Sequence, residues 1–354
     1  MSRHKLGIIG YGNIAKTHLK AIGHYHGPQS IELYAVLTRQ AADSHQIFSH
    51  VYTTPESFFQ DEGIEAVDIC TPNAQHFSQA QQAIDTHKAI YMEKPIARSS
   101  LEAKPLVDQL NNSDLVAQVV LTNRFNPAVV LARDILASGG LGTLVNFKAS
   151  YYHHSYISLD KLMSWRQSYQ ASGGGAIVDL GIHTLDLVRF LFGEVEGVKA
   201  YMSTVFKERY QDSSKQSMVQ NDTDEYAAVL LKMKSDVLGF VDTSRISFEP
   251  KEVPLFTVYG TLGTLYLYAA RVEWYDLKGN PVSPALSLES DFYRYLKAQQ
   301  ALFDPSLSIF ELCHGLSMVS FLDRLDGLID FKEIPDFNEA YQSQGIVDRV
   351  LHTD

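Results

Sequence analysis

A glycine-rich turn placed directly after the first apolar run constrains the fold of this chain more than any other feature. Leu6–Ile9 leads into Gly10-Tyr11-Gly12-Asn13-Ile14-Ala15, and a helix-period segment begins near Lys16. In a Gly-x-Gly-x-x-Ala turn of this kind the first glycine makes the tight bend. The second lets a diphosphate approach the backbone, and a small third residue lets the helix pack on the strand. The helix N-terminus then offers N–H groups and a partial positive charge to that diphosphate. Gly10, Gly12, Asn13 and Ile14 are therefore candidate dinucleotide contacts. Such turns also arise for packing alone, so the weight of the pattern comes from what surrounds it.

What surrounds it is an alternation. Short apolar runs at Leu33–Leu37, Ala66–Cys70, Ala89–Met92 and Leu115–Leu121 are separated by helix-period segments such as Thr17–Ile22 and Ser78–Ile84. Strands spaced by helices predict a doubly wound parallel sheet of the Rossmann kind over residues 1–123. After Asn123 the texture changes. A helix over Pro127–Ala137 stops at Gly139-Gly140, a strand follows at Thr143–Tyr151, and another helix lies near Gly175–Phe192. From Val198 to Tyr275 β-rich stretches follow one another closely, which predicts an open, mostly antiparallel sheet in a second α/β domain over 124–354. Tyr210–Asn221 is polar and aperiodic and reads as an exposed loop, while Phe310–Leu328 and Phe337–Leu351 read as helices.

Composition narrows the partners. The 354 residues carry a net charge of −11, without the basic surplus that binding to nucleic acid or an anionic membrane surface requires. No apolar stretch reaches the length of a membrane span. Cys70 and Cys313 are the only cysteines and stand far apart; they form neither a disulfide framework nor a thiolate zinc site, which points to a reducing cytoplasm.

The end of the second strand bears on the cofactor. An NAD site usually offers an acid to the ribose hydroxyls there, but this chain has Thr38-Arg39-Gln40. A hydroxyl and a guanidinium suit a 2′-phosphate, so Thr38 and Arg39 favour NADP over NAD; the other reading of Arg39 is a solvated loop cation. Two more motifs follow strand carboxyl ends, where ligands bind in open α/β sheets. They are Thr71-Pro72-Asn73-Ala74-Gln75-His76 and Glu93-Lys94-Pro95. Lys94, held by a restricted backbone before proline, could donate to a substrate oxygen, or it could belong to a surface Glu-Lys pair before a turn.

In the second half, Trp165-Arg166 precedes Gly173-Gly174-Gly175-Ala176-Ile177-Val178-Asp179-Leu180-Gly181-Ile182-His183. A spacing of four puts Asp179 and His183 on one helical face. There the carboxylate could orient an imidazole that exchanges protons near neutral pH, or the two could be a buried structural pair. His153 and His154 are nearby, but one histidine on the helix is not a zinc signature, and no metal is expected. Tyr151, Tyr152, His153, His154, Tyr156 and Arg166 could line a site for sugar hydroxyls or serve sheet packing.

The order and separation of these motifs, together with Asn123-Arg124-Phe125-Asn126-Pro127 and Gly260–Gly263, resemble the glucose–fructose oxidoreductase / inositol dehydrogenase / rhizopine-catabolism (Gfo/Idh/MocA) family over nearly the whole chain. The resemblance implies a Rossmann domain, a C-terminal α/β domain with an open antiparallel sheet, and an active site in the cleft between them. It implies a catalytic set of Lys94, Asp179 and His183. Thr71, Pro72, Asn73, His76, Glu93 and Lys94 would contact the cofactor, with Trp165 and Arg166 near the nicotinamide. Two departures stand out: Thr38-Arg39 where many members keep an acid, and two C-terminal helices where one is usual. The activity implied is hydride transfer between NADP or NAD and a carbinol or carbonyl carbon of a sugar, polyol or related small molecule. His183 would exchange the hydroxyl proton, Lys94 would bind the same oxygen, and Tyr152 and Arg166 would line the substrate. Rival readings are a reductase of aromatic or dicarbonyl substrates, a nicotinamide-dependent glycosidase, and a non-catalytic dinucleotide sensor, which would not need the proton-transfer set. A homo-oligomer, dimer or tetramer, is expected through the C-terminal sheet.

Overall fold

The computed structural model describes residues 3–39 and 47–353; Gln40 lies outside the described residues. The chain divides into two compact units, one formed by Met1–Phe125 with Arg294–Tyr341, the other by Asn126–Tyr293 with Gln342–Asp354.

The first unit opens β1 (Arg3–Ile9), α1 (Asn13–Gly23), β2 (Ser30–Leu37), β3 (His50–Tyr52), α2 (Pro55–Phe59), β4 (Ala66–Ile69), α3 (His76–Asp85), β5 (Ala89–Glu93), α4 (Ser100–Leu110) and β6 (Ala117–Val120). All six strands run parallel in the order β3-β2-β1-β4-β5-β6. Every residue of β4, β5 and β6 is buried, which is why these strands read as mainly apolar runs rather than alternating ones, with Asp68, Glu93 and Gln118 as buried polar residues within them. The strand order reverses between β1 and β4, and the crevice at that switch point is where such sheets bind ligands.

In the second unit come α5 (Pro127–Ala137), β7 (Leu144–Tyr152), α6 (Tyr169–Ser172), a π-helical turn at Ile177–Gly181 that runs into α7 (Ile182–Phe192), and β8 (Val195–Ser203). They are followed by β9 (Glu208–Tyr210), β10 (Met218–Gln220), β11 (Tyr226–Met233), β12 (Leu238–Ser244), β13 (Phe256–Gly260), β14 (Gly263–Leu267) and β15 (Val272–Asp276). The Asn126 side chain caps α5 by accepting from Ala128 N at 2.9 Å, and Pro127 takes the first helical position, where its missing N–H costs nothing. Seven strands form one sheet in the order β15-β14-β13-β7-β12-β11-β8, in which only β12 and β7 are parallel. α5 and α7 pack on one face. On the other, Tyr201, Leu230 and Leu238 are 86%, 58% and 59% exposed.

Two differences from the sequence reading have clear causes. Tyr210–Asn221 is not a plain loop, because β9 and β10 pair as a hairpin. Its inward residue is a charge rather than an apolar side chain: Arg209 is fully buried, pairs with Glu225 at 2.7 Å and donates to the carbonyls of Tyr156 and Ser158. The C-terminal part is likewise not a simple extension of the second unit. After α8 (Asp291–Gln300), α9 (Ile309–Leu325) packs against α1, β5 and β6. It buries Leu316, Val319, Phe321 and Leu322, while Ser317 meets Tyr91 and Gln118. α10 (Phe337–Leu351) closes the chain, its Ser343 donating to the buried Asp186 at 2.8 Å. Among the described residues no helix is long and apolar enough to cross a membrane.

Candidate active site

The β1–α1 turn has the form a dinucleotide needs. Gly10 has φ +87°, and a Cβ there would lie 2.8 Å from Thr71 Cγ2, so the residue at this point must be glycine. Gly12 differs: it caps α1 without any side-chain partner, and a Cβ there would meet nothing within 4 Å. Protein packing therefore does not require glycine at 12, whereas close approach of a diphosphate does. The first N–H groups of α1, at Asn13 and Ile14, have no partner within the helix, as at any helix N-terminus. These residues fit a dinucleotide, with Gly10, Gly12, Asn13 and Ile14 around its diphosphate. At the end of β2, Thr38 is half-buried and Arg39 exposed.

The motif after β4 is built inward. His76 is buried, with Nε2 2.8 Å from the Thr71 carbonyl and Nδ1 2.6 Å from the Pro95 carbonyl. Burial holds its pKa below the usual value against the pull of the two carbonyls, and the ring stands between the turn after β4 and the turn after β5. Asn73 is also buried, and Thr71 donates to Gln79 at 2.5 Å. Within the first unit, then, the turn at Gly10, the Thr71–His76 motif and the Glu93-Lys94-Pro95 motif are brought together. Lys94 is half-buried, but Glu93 turns its carboxylate into the core, 3.2 Å from His18 Nε2. Burial would raise the Glu93 pKa; the hydrogen bond and charge of His18 outweigh it and pull the value down to about 2. Glu93 is thus placed toward His18, a residue that the sequence reading passed over.

In the second unit the glycine run serves a close approach. A Cβ on Gly175 would lie 1.8 Å from the Asp224 carbonyl oxygen. The Asp224 carboxylate accepts from Gly175 N at 2.7 Å and Ile177 N at 2.8 Å, holding the start of the wide turn. Asp179 stands in that turn and His183 in the first turn of α7; π turns of this kind concentrate at functional sites. Arg245, almost wholly buried at the end of β12, donates to Asp179 Oδ2 at 3.3 Å and to the Arg166 carbonyl at 3.2 Å. One guanidinium thereby ties the Trp165-Arg166 segment to the candidate acid. Ser164 and Gln167 close a capping box around Trp165-Arg166, and the Arg166 guanidinium lies 4.4 Å above the Trp165 ring. His153 has its pKa lowered by burial, against the pull of Asp179.

Tyr151 stands edge-on to His183 with centroids 6.4 Å apart. Tyr152 is placed elsewhere. It follows Tyr151 on the strand, so it projects from the opposite face, where its hydroxyl donates to Asp242 beside Ser150. The sequence reading missed Arg245 and Asp224 along with His18. Asp224 stands in the polar run Asn221–Glu225, Arg245 follows Thr243-Ser244, and His18 lies between Thr17 and Leu19, so the local pattern marks none of them as buried and does not say which distant partner each one meets.

Comparison with known proteins agrees with this architecture. Residues 4–121 match the model of an oxidoreductase family with an NAD-binding Rossmann fold, and residues 129–266 match the GFO/IDH/MocA C-terminal domain. A levoglucosan dehydrogenase from Pseudarthrobacter phenanthrenivorans is 27% identical over 286 residues, covering 75% of this chain and 73% of that protein. A glucose-6-phosphate 3-dehydrogenase from Bacillus subtilis is 25% identical over 99% of this chain and 96% of its own length. The solved structure of a levoglucosan dehydrogenase with NADH and levoglucosan superposes with a TM-score of 0.86 at 23% identity, covering 99% of this chain and 97% of that one, a likeness of fold.

Proposed function

The chain belongs to the Gfo/Idh/MocA oxidoreductase family, and on that premise we propose that it oxidises or reduces a carbinol or carbonyl carbon of a sugar or polyol, with NADP as the preferred cofactor. The observation that carries this reading is the anchoring of Asp179 by buried Arg245 on a wide turn that runs directly into the helix bearing His183. Such an anchored acid suits orientation of an imidazole and a substrate hydroxyl. His183 exchanges the hydroxyl proton. Lys94 donates to a substrate oxygen and stabilises the charge that develops on it. The nicotinamide, when bound, supplies or accepts the hydride. Tyr151, sharing a face with His183, takes the lining role expected of Tyr152, and Arg166 lines the substrate beside Trp165.

The preference for NADP rests on exposed Arg39 and on Thr38 at the end of β2, where no acid opposes a 2′-phosphate. Buried thiols at Cys70 and Cys313 suit a reducing cytoplasm. The exposed face around Tyr201, Leu230 and Leu238 suits pairing of two copies through the second sheet, which light scattering on a sizing column tests.

Nicotinamide absorbance followed over a panel of sugars, polyols and dicarbonyls with both cofactors tests the activity. Turnover of a sugar or polyol is expected; turnover of dicarbonyls alone, or glycoside cleavage without net reduction, overturns it. A tenfold tighter Kd for NADH than for NADPH overturns the cofactor preference. Lys94→Ala is expected to keep dinucleotide affinity and to lose roughly 100- to 10,000-fold in turnover.

A further inference from the structure

Beneath the cofactor turn lies a sealed set of ionisable side chains that the proposed chemistry does not use. His18 on α1 is buried, with Nδ1 2.9 Å from Asp68 Oδ2 and Nε2 3.2 Å from Glu93 Oε1. Both oxygens accept only when both ring nitrogens carry hydrogen, so the geometry is that of an imidazolium between two carboxylates. Cys70 Sγ is 3.2 Å from Asp68 Oδ1, and the His314 ring, from α9, is centred 5.0 Å from that of His18. Tyr91 meets His18 edge-on from β5. These are the titratable groups that face His18: Asp68 and Cys70 from the β4 side, Tyr91 and Glu93 from β5, His314 from α9.

Stability alone does not explain such a set, because a well-packed apolar core in its place is often as stable or more so. What the apolar alternative lacks is direction. His18 is one turn beyond the diphosphate-binding end of α1, and Glu93 is the residue before Lys94. We propose that His18 is a positioning residue: by donating to Asp68 and Glu93 at once, it fixes the Glu93-Lys94 backbone against the cofactor helix and so sets where the Lys94 ammonium stands. This rests on the reading of Lys94 as the group that binds the substrate oxygen. A second function of the arrangement follows from its position. The diphosphate-binding helix and the lysine turn are held by one shared cation, so the lysine keeps its place relative to a bound dinucleotide.

The test compares His18→Gln, Glu93→Gln and Glu93→Ala in the full chain, with Lys94→Ala as reference. The expected result is a Kd for NADPH within a few-fold of the parent and an unchanged substrate KM in all three. In folded His18→Gln, kcat is expected to fall about 100-fold, the cost of a misplaced reacting group. Glu93→Gln, whose carbonyl still accepts from His18, should retain far more kcat than Glu93→Ala. A purely structural role predicts lower melting temperatures with normal kcat in the folded protein, and that result overturns the proposal. Activity in Lys94→Ala overturns the Lys94 reading itself, and with it this one; an inactive Lys94→Ala beside a normal His18→Gln overturns the positioning role alone. A measurement on the unmodified protein needs no variant to fold: nitrogen-15 shifts of the His18 ring are expected to show both nitrogens protonated from pH 6 to 8. A neutral tautomer in that range overturns the proposal. Stoichiometric zinc in the purified protein does so too, because His18, Asp68 and Cys70 then ligate metal and His18 cannot donate to both carboxylates.

Discussion

Tyr151 and Tyr152 are consecutive residues of β7 that face opposite sides of the second sheet, the first beside His183 and the second bound to Asp242. The pleat decides this, since successive side chains on a strand point to opposite faces. Tyr151→Ala is expected to release the His183 ring and lower kcat/KM roughly tenfold or more, as loss of orientation does. Tyr152→Phe removes one buried-side hydrogen bond and is expected to cost about 1 kcal/mol of stability with little change in kinetics. Steady-state rates and thermal melts of the two variants check the assignment, and the opposite pattern reverses it.

Arg245 is the residue whose loss should most disturb Asp179. Its guanidinium reaches both the Asp179 carboxylate and the Arg166 carbonyl. Arg245→Met leaves both acceptors without that donor and is expected to destabilise the protein by roughly 2–3 kcal/mol, the usual worth of hydrogen bonds to charged groups. The folded variant should lose kcat far more than dinucleotide affinity. Arg245→Lys keeps the charge but not the fork, and should lie between the two. A variant with parental kcat removes Arg245 from the site.

The glycines at 12 and 175 should respond in opposite ways. Gly12→Ala meets open space, so its stability is expected to fall little, by about 1 kcal/mol or less for a changed helix cap. Its Kd for the dinucleotide should weaken at least tenfold, because the added methyl group stands where the diphosphate approaches. Gly175→Ala collides with the Asp224 backbone at 1.8 Å and is expected to lose several kcal/mol, roughly the range of severe overpacking. Calorimetry of dinucleotide binding set beside thermal melts separates the two.

Much of this molecule was legible locally, and the remainder depended on distant partners. Gly10–Ala15 announced itself because a strand, two glycines and a helix are neighbours in sequence. The parallel strands could be read for the same reason, since burial on both faces leaves Ala66–Ile69 and Ala117–Val120 as strongly apolar runs. Arg245 and Asp179 are 66 residues apart, and no local period links them. His18 sits in an amphipathic helix whose inward face is otherwise apolar; only the fold brings Asp68 and Glu93 to it. The pairing of β9 with β10 was hidden because its stabilising element is a buried arginine, which a polarity pattern reads as solvent-facing. α9 looked like part of the second domain because chain order is a guide to domains only when the chain does not return.

The pH dependence of stability follows from the buried ion set in the first unit. Burial alone would lower the His18 pKa, but Asp68 and Cys70 reverse this and hold it well above 6.5. A raised value means that the His18 contribution is complete below about pH 6.5 and is lost as pH rises through the folded-state value. Glu93 has the opposite sign: with its pKa lowered from 4.5 to about 2, its contribution is present above pH 4.5 and is lost as pH falls toward 2. The first unit is therefore expected to be most stable between these limits. In His18→Gln the two carboxylates stay buried without their cation, so they favour the protonated form and the variant grows less stable as pH rises from 4 to 7. The difference in stability between parent and variant should widen over that range to roughly 3–5 kcal/mol near neutral pH, the cost of stranding a buried charge. Circular-dichroism melts of both proteins from pH 3 to 8 measure it, and parallel stability curves would mean that His18 is not charged in the folded protein.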